Sequence, residues 1–345
     1  MTAVEARSVE ATLQHYGQLT ATALATYLPD SEPRAHLWDL VATYPARGGK
    51  AIRPSLCLAT CGAFGGELDE CLPSAVAIEL LHNAFLVHDD IEDESELRRG
   101  EPTLHATHGV ALALNAGDAL ALLAGAPLRD NRERIGSRMA AKVADEFERM
   151  ARHTVEGQAM ELGWRRDATT GLGPDDYLDL ILRKTCWYTT IHPMRVGALI
   201  GSWERADLDP LVRFGFYLGA AFQIQDDLLN LVGDPARYGK EPCGDLYEGK
   251  RTLMLIHLLS VAGARERRWL DSVLARPRAE RTAADVEQLL ELLRRHGSIE
   301  FAREFAKGIA SAAEGAFEDA FAAVPESPDR SFIHDLIPWM LDRDA

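Results

Sequence analysis

The sequence predicts an all-α fold, a single-domain bundle of long antiparallel helices around a central cleft, on three observations. Apolar residues recur at three- and four-residue spacing for several turns in "AVAIELLHNAFLVHDDIEDES", "SRMAAKVADEFERMARHTVEGQAMEL" and "VEQLLELLRRHGSIEFAREFAKGIASAAEGAFEDAFAAV". Nowhere do four to eight residues alternate with β-branched enrichment between turn signals, so no sheet is expected. Gly- and Pro-bearing breaks at 44–50, 62–73, 98–109, 124–130, 166–175, 233–250, 275–282 and 324–330 are spaced like the joints of a helix bundle. None reads as an interdomain linker and no repeat of 20–50 residues is evident, so one domain over residues 1–345 is the economical expectation.

A chain of 345 residues that is 47% hydrophobic has ample material for a core. Its net charge of −16 sets up a field that repels polyanions, which argues against nucleic-acid or anionic-membrane binding and requires local cations for any anionic substrate. Cys57, Cys61, Cys71, Cys186 and Cys243 are odd in number and lack zinc-site spacing, so they are expected to be reduced and structural. No run of about 18 uninterrupted apolar residues appears, and "MTAVEARSVEATLQHYG" has neither the basic nor the apolar part of a secretion signal; no membrane insertion and a cytoplasmic location are expected.

Along the chain, "GGKAIRP" at 48–54 sets Lys50 and Arg53 in a Gly-rich turn. A helix over 74–97 comes next, and it concentrates six acids between Asp89 and Glu96 before Arg98 and Arg99. Four residues overshoot a helical turn by about 40°, so Asp89 and Asp93 share a face with Asp90 alongside. Paired carboxylates suit hard divalent cations, but a solvated acidic helix end reads the same way. The second feature changes the balance: "FQIQDDLLN" at 222–230 places Asp226 and Asp227 beside an apolar helical stripe, where unpaired carboxylates are expensive. Two acidic pairs on separate helices can face each other across a cleft and share metals. Lys240 and Lys250 come after the second pair, and lysine and arginine are what phosphate oxygens need. His82, alone on an apolar helix, would by itself read as a core or rim residue.

In this order these segments, with "NAGDAL" at 115–120, "GQAMEL" at 157–162, "RKTCWYTT" at 183–190 and "YGKEPCGDLYEGKRTL" at 238–253, resemble the trans-isoprenyl diphosphate synthases, the polyprenyl synthetase family, over roughly residues 35–340. The resemblance implies that Asp89 and Asp93, supported by Asp90, and Asp226 hold Mg2+, three ions per site. It implies that Arg98, Lys184, Lys240 and Lys250 contact an allylic diphosphate, and that Lys50, Arg53, His82 and Arg99 hold isopentenyl diphosphate. Thr185 and Gln223 would lie with Lys184 beside the reacting carbon, and the chain would form a homodimer. Asn230 departs from the third aspartate of many relatives, leaving a carbonyl oxygen or a bound water as its link to a metal.

The implied reaction condenses isopentenyl diphosphate with an allylic diphosphate. A tail growing back along the helix from Asp89 would pass Phe85 and Ala84, then Leu81, then Ile78, each turn matching about one isoprene unit. Ala84 leaves room where a second ring would close the tunnel and Phe85 is a partial barrier, so geranylgeranyl diphosphate (C20) is the expected product, with farnesyl diphosphate (C15) the nearest competitor and longer-chain products also open. The rival readings are a class I terpene cyclase on the same scaffold, which needs no isopentenyl site, and a non-catalytic partner subunit, which usually lacks one aspartate-rich motif.

Overall fold

The computed structural model describes residues 8–233 and 241–342. It opens with helix α1 (Val9–Ala25), whose first turn is capped where Ser8 Oγ accepts from the Ala11 N–H. A π-turn (Arg34–Trp38) leads into α2 (Asp39–Ala46), followed by α3 (Ile52–Ala63) and α4 (Leu68–Glu92). A short hairpin, β1 (Leu97–Arg98) and β2 (Glu101–Pro102), precedes α5 (Leu104–His108), α6 (Val110–Leu123) and α7 (Gly125–Arg166), the last broken at Gly136. Next come α8 (Pro174–Ile181), a π-helical stretch (Leu182–Ile191), α9 (His192–Gly201) and α10 (Asp209–Val232). The C-terminal part holds α11 (Gly244–Glu248), α12 (Leu253–Val261), α13 (Ala264–Leu274), α14 (Ala283–Arg295), α15 (Ser298–Ala320) and α16 (Pro328–Asp342).

The predicted all-α class is what the fold shows, with two corrections near the acidic cluster. The helix expected over 74–97 ends at Glu92: Asp93 still bonds back to the Asp89 carbonyl at 2.8 Å, but Glu94 turns left-handed at φ 53°. Carboxylates at a helix C-terminus oppose the negative end of its dipole, so continuing the helix through Glu94 and Glu96 would be unfavourable. The chain passes instead into a two-stranded antiparallel pairing, Leu97 with Pro102 and Arg98 with Glu101, whose strands are too short to show any alternation. Its connecting residues, Arg99 (φ 56°) and Gly100 (φ 78°), both have positive φ, as a tight two-residue hairpin turn demands.

Three apolar clusters hold the bundle. One joins α1, α3, α9, α10, α15 and α16 through Leu56, Met194, Phe214, Phe317 and Leu336, and a second packs α8, the π-stretch and α10 against α12 to α15. The third buries Leu80, Leu81 and Ala84 of α4 against Ala113, Ala116 and Leu120 of α6. By length and composition α4 and the span Val110–Arg166 would suffice to cross a membrane, but 72% of the apolar window in α4 is buried inside the bundle. Gly157 of α7 lets the π-stretch come close: a Cβ there would stand 2.4 Å from the Lys184 amide nitrogen. Cys57, Cys61, Cys71 and Cys186 are buried free thiols, and Cys243 is half-buried and free.

Candidate active site

The ends of α4 and α10, the C-terminal third of α7, the π-stretch, the hairpin turn and residues 245–252 enclose a cleft of about 900 Å³. A π-helical stretch widens the backbone spiral and is common at functional sites. Here it brings Lys184, Thr185 and Tyr188 to the same wall.

The first acidic pair divides its labour. Asp89 lines the cleft, with Oδ2 accepting from Arg98 Nη2 at 3.0 Å and Oδ1 3.5 Å from Lys184 Nζ. Asp90, expected to support the metal ligands, turns the other way: it is 1% exposed, with Oδ1 taken by Arg98 Nε (2.8 Å) and Nη2 (2.5 Å) and Oδ2 by the Tyr44 hydroxyl. The second pair differs. Asp226 and Asp227 both line the cleft, but Asp227 is largely buried and already accepts from Tyr177 Oη at 2.8 Å and Gln223 Nε2 at 2.7 Å. Burial pushes the Asp227 carboxyl up to about 7, against the pull of those two hydrogen bonds. Neighbouring residues on a helix are about 100° apart, so Asp89 meets the cleft while Asp90 meets the packed interior, and Asp227 stays on the cleft wall with both oxygens already bonded.

Asp93 caps α4 and is buried beneath two cations, Arg165 Nη1 on Oδ1 at 2.5 Å and Lys250 Nζ on Oδ2 at 2.6 Å. Burial would raise its pKa, but Lys250, Lys184 and Arg165 together hold it below the usual carboxylate value. Lys250 also lies 2.7 Å from Glu248, whose carboxyl burial pushes up to about 7. Lys184 bonds Glu161. Burial alone would weaken its charge, yet Glu161 and Asp89 outweigh that and raise its pKa. Arg98, predicted for the same cation group, is buried with its charge committed to Asp89 and Asp90. Lys240 lies outside the described residues.

The other cations gather where the hairpin turn meets the loop before α3. Lys50, Arg53, His82 and Arg99 all line the cleft there with Arg47 and Glu79. The tight turn sends Arg99 away from its neighbour Arg98 and onto Gly49, whose added Cβ would stand 2.7 Å from Arg99 Nη2. Arg53 bonds Thr189 Oγ1 at 2.9 Å and stacks 4.1 Å over the Tyr188 ring. Burial, then Arg53 and Arg99, hold His82 well below its ordinary pKa, so it is neutral, with Nε2 accepting from Arg53 Nη1 at 3.4 Å.

Thr185 Oγ1 donates to Gln223 Oε1 at 2.8 Å, and Asp227 fixes the amide group of Gln223 from the other end. Asn230 is no open donor: its side-chain oxygen accepts from the Asp245 amide at 3.1 Å and anchors the start of α11. Of the four residues expected along the growing tail, only Phe85 faces the cleft, edge-on to Tyr188 with ring centres 6.0 Å apart. Ala84 and Leu81 are buried behind it, toward α6, and Ile78 is buried in the first apolar cluster.

Sequence reasoning missed Arg165, Glu161, Tyr44, Tyr177 and Tyr188. Glu161 stands inside the quoted "GQAMEL" and Tyr188 inside "RKTCWYTT", so both were within reach. Nothing local marks Tyr44, which meets Asp90 only through the packing of α2 beside α4.

The donor chemistry fits a hard divalent cation. Among the described residues no group of three His, Cys, Asp or Glu side chains converges as a ready-made site. Magnesium typically takes one or two carboxylates, retains waters and completes its shell with substrate phosphates, and Asp89 and Asp226 offer carboxylates to the cleft on that pattern.

A helical bundle with two aspartate pairs and two groups of cations on one cleft is the design of an isoprenoid synthase. The chain belongs to the polyprenyl synthetase family, whose model matches residues 35–319. It is 33% identical over 300 residues to a short chain isoprenyl diphosphate synthase of Methanothermobacter thermautotrophicus, covering 86% of this chain and 87% of that one. Its fold superposes on a geranylgeranyl pyrophosphate synthetase of Pyrococcus horikoshii with a TM-score of 0.85 at 31% identity, covering 97% and 98% of the two chains. It also superposes on a polyprenyl synthase of Caulobacter crescentus solved with calcium and isoprenyl diphosphate, with a TM-score of 0.84, 27% identity and 99% coverage of both.

Proposed function

We propose that this chain is a short-chain trans-prenyltransferase that condenses isopentenyl diphosphate with an allylic diphosphate to give geranylgeranyl diphosphate. The observation that carries the reading is that one cleft is lined both by Asp89, Asp226, Lys184 and Lys250 and by Lys50, Arg53, His82 and Arg99. That inventory supports two anionic substrates bound side by side, with the Thr185–Gln223 pair also on the wall. A terpene cyclase has no use for the second cation group, and both aspartate pairs are present, against a non-catalytic subunit.

Mg2+, expected as three ions, would be held by Asp89, Asp93 and Asp226, and when bound supplies charge that stabilises the departing diphosphate. The chain's own residues do the rest. Lys184 and Lys250, now paired with Glu161, Glu248 and Asp93, present ammonium groups to the allylic diphosphate, and transfer of Lys250 to phosphate would free Asp93 Oδ2 while Arg165 keeps Oδ1. Heterolysis of the allylic C–O bond leaves a carbocation, toward which the oxygens of Thr185 and Gln223 direct partial negative charge. The double bond of isopentenyl diphosphate, positioned by Lys50, Arg53, His82 and Arg99, attacks that carbon. Loss of a proton to the released diphosphate restores a trans double bond. Asp90 and Asp227 act through others: Asp90 orients Arg98, and Asp227 orients Gln223.

The ring of Phe85 narrows the cleft beside Tyr188, which favours farnesyl diphosphate as the second reading of product length. A homodimer fits the surface: Val110, Leu114 and Leu122 of α6 and Val155 of α7 are exposed apolar side chains, Leu122 to 80%. Labelled isopentenyl diphosphate incubated with dimethylallyl, geranyl or farnesyl diphosphate, with Mg2+ or excess EDTA, tests the reaction. A C20 product dependent on the metal is expected, and absence of any elongated product would refute it.

A further inference from the structure

Helices α1 and α16 lie outside the matched residues 35–319, yet they meet at the loop that carries Lys50. That loop needs external support. Gly48 (φ 67°) and Ala51 (φ 53°) are both left-handed, and Lys50 is an exposed side chain between them. Support comes from two sides. On one, the backbone of α1 lies so close that a Cβ on Gly17 would stand 2.9 Å from the Cβ of Ala51. On the other, Lys50 Nζ lies 5.6 Å from the centre of the Trp339 ring on α16. Trp339 is itself anchored, since its indole N–H donates to Glu10 Oε1 of α1 at 2.6 Å. A second tie joins the same helices where Tyr16 Oη donates to Asp329 Oδ1 at 2.5 Å.

We propose that Trp339 is a positioning residue for isopentenyl diphosphate, its indole face holding the Lys50 ammonium in place while α1 braces the loop from behind. The inference rests on the reading that Lys50 binds that diphosphate. An ammonium over an indole face within about 6 Å is attracted by the ring quadrupole. The attraction restrains a side chain with four rotatable bonds before the substrate arrives, so less freedom is lost on binding. Were Trp339 only a packing residue at the edge of the core, its removal would lower stability without singling out one substrate.

Steady-state kinetics on the full chain separate these roles. Trp339→Leu should raise the KM for isopentenyl diphosphate about two- to fivefold, the range of an exposed cation–π contact, with kcat and the KM for the allylic substrate unchanged. Trp339→Phe, which keeps a ring face, should recover part of the loss. The double variant Lys50→Ala/Trp339→Leu should match Lys50→Ala alone. An unchanged KM in Trp339→Leu alongside a raised KM in Lys50→Ala overturns this inference and leaves the isopentenyl site standing. So do independent, multiplying effects in the double variant. An unchanged KM in Lys50→Ala overturns the site assignment and the inference with it. If Trp339→Leu does not fold, Gly17→Ala tests the brace from the other side, because its Cβ must displace Ala51. The same selective rise in KM is expected, and its absence counts against the proposal.

Discussion

Asp89 and Asp90 are chain neighbours with opposite environments, so truncating each should break a different property. Asp90→Ala removes both acceptors from a buried cluster. Arg98, 6% exposed, loses the oxygen that takes its Nε and Nη2, and the Tyr44 hydroxyl loses its partner. Breaking a buried ion pair by removing one member costs about 3–5 kcal/mol, and because Arg98 Nη2 keeps Asp89 Oδ2 at 3.0 Å the loss of unfolding free energy expected lies at the lower end of that range. Asp89→Ala leaves Arg98 paired with Asp90 and Lys184 paired with Glu161, and it relieves acidic crowding at the cleft. Its stability should change by no more than about 1 kcal/mol, while turnover falls on the order of a hundredfold or more because the leaving diphosphate loses its support. Urea unfolding monitored by helical circular dichroism, alongside turnover at saturating substrates, measures both. Equal destabilisation by the two truncations, or near-normal turnover in Asp89→Ala, would refute the division of roles.

Lys50→Ala and Arg53→Ala should raise the KM for isopentenyl diphosphate at least tenfold, as expected for about 1.4 kcal/mol or more of lost charge-assisted binding, with little effect on the allylic substrate; equal effects on both in substrate-saturation kinetics would contradict the assignment of the two cation groups. Phe85→Ala should shift products toward C25 or longer in chromatography of the dephosphorylated alcohols. Ala84→Phe, which helical spacing alone would cast as shortening the product, meets a packed interior instead and should lower stability by about 1–3 kcal/mol, measurable by urea unfolding. Burial pulls the His192 pKa down to about 4, against the opposing charge of Glu146, so the unfolded chain binds the extra proton. Stability should therefore fall as pH drops from about 6.5 to 4, by about 3 kcal/mol from this group, and unfolding titrations of His192→Gln should show that much less loss.

The helical class was legible because periodicity of apolar residues is a local property, and the two "DD" pairs stood out because adjacent buried charges are expensive wherever they lie. The cation groups were legible only as an ordered set, since any single lysine in a glycine-rich turn reads as surface. Which member of each pair serves the cleft was not legible, because the orientation of a helix about its axis is fixed by what packs against it. Tyr44 holds Asp90 inward and Tyr177 engages Asp227 at the cleft wall, and they lie 46 and 50 residues away in sequence. The same reason explains Ala84, whose neighbours on α6 come some thirty residues later and turn it away from the cleft. Sequence by itself determined the fold class, the acidic and basic inventory and the family. Tertiary structure alone decided the direction of each side chain, through contacts that no local spacing encodes: the release of Arg99 from Arg98 at a tight turn, the pairing of Lys250 with Asp93 across 157 positions, and the meeting of α1 with α16 beside Lys50.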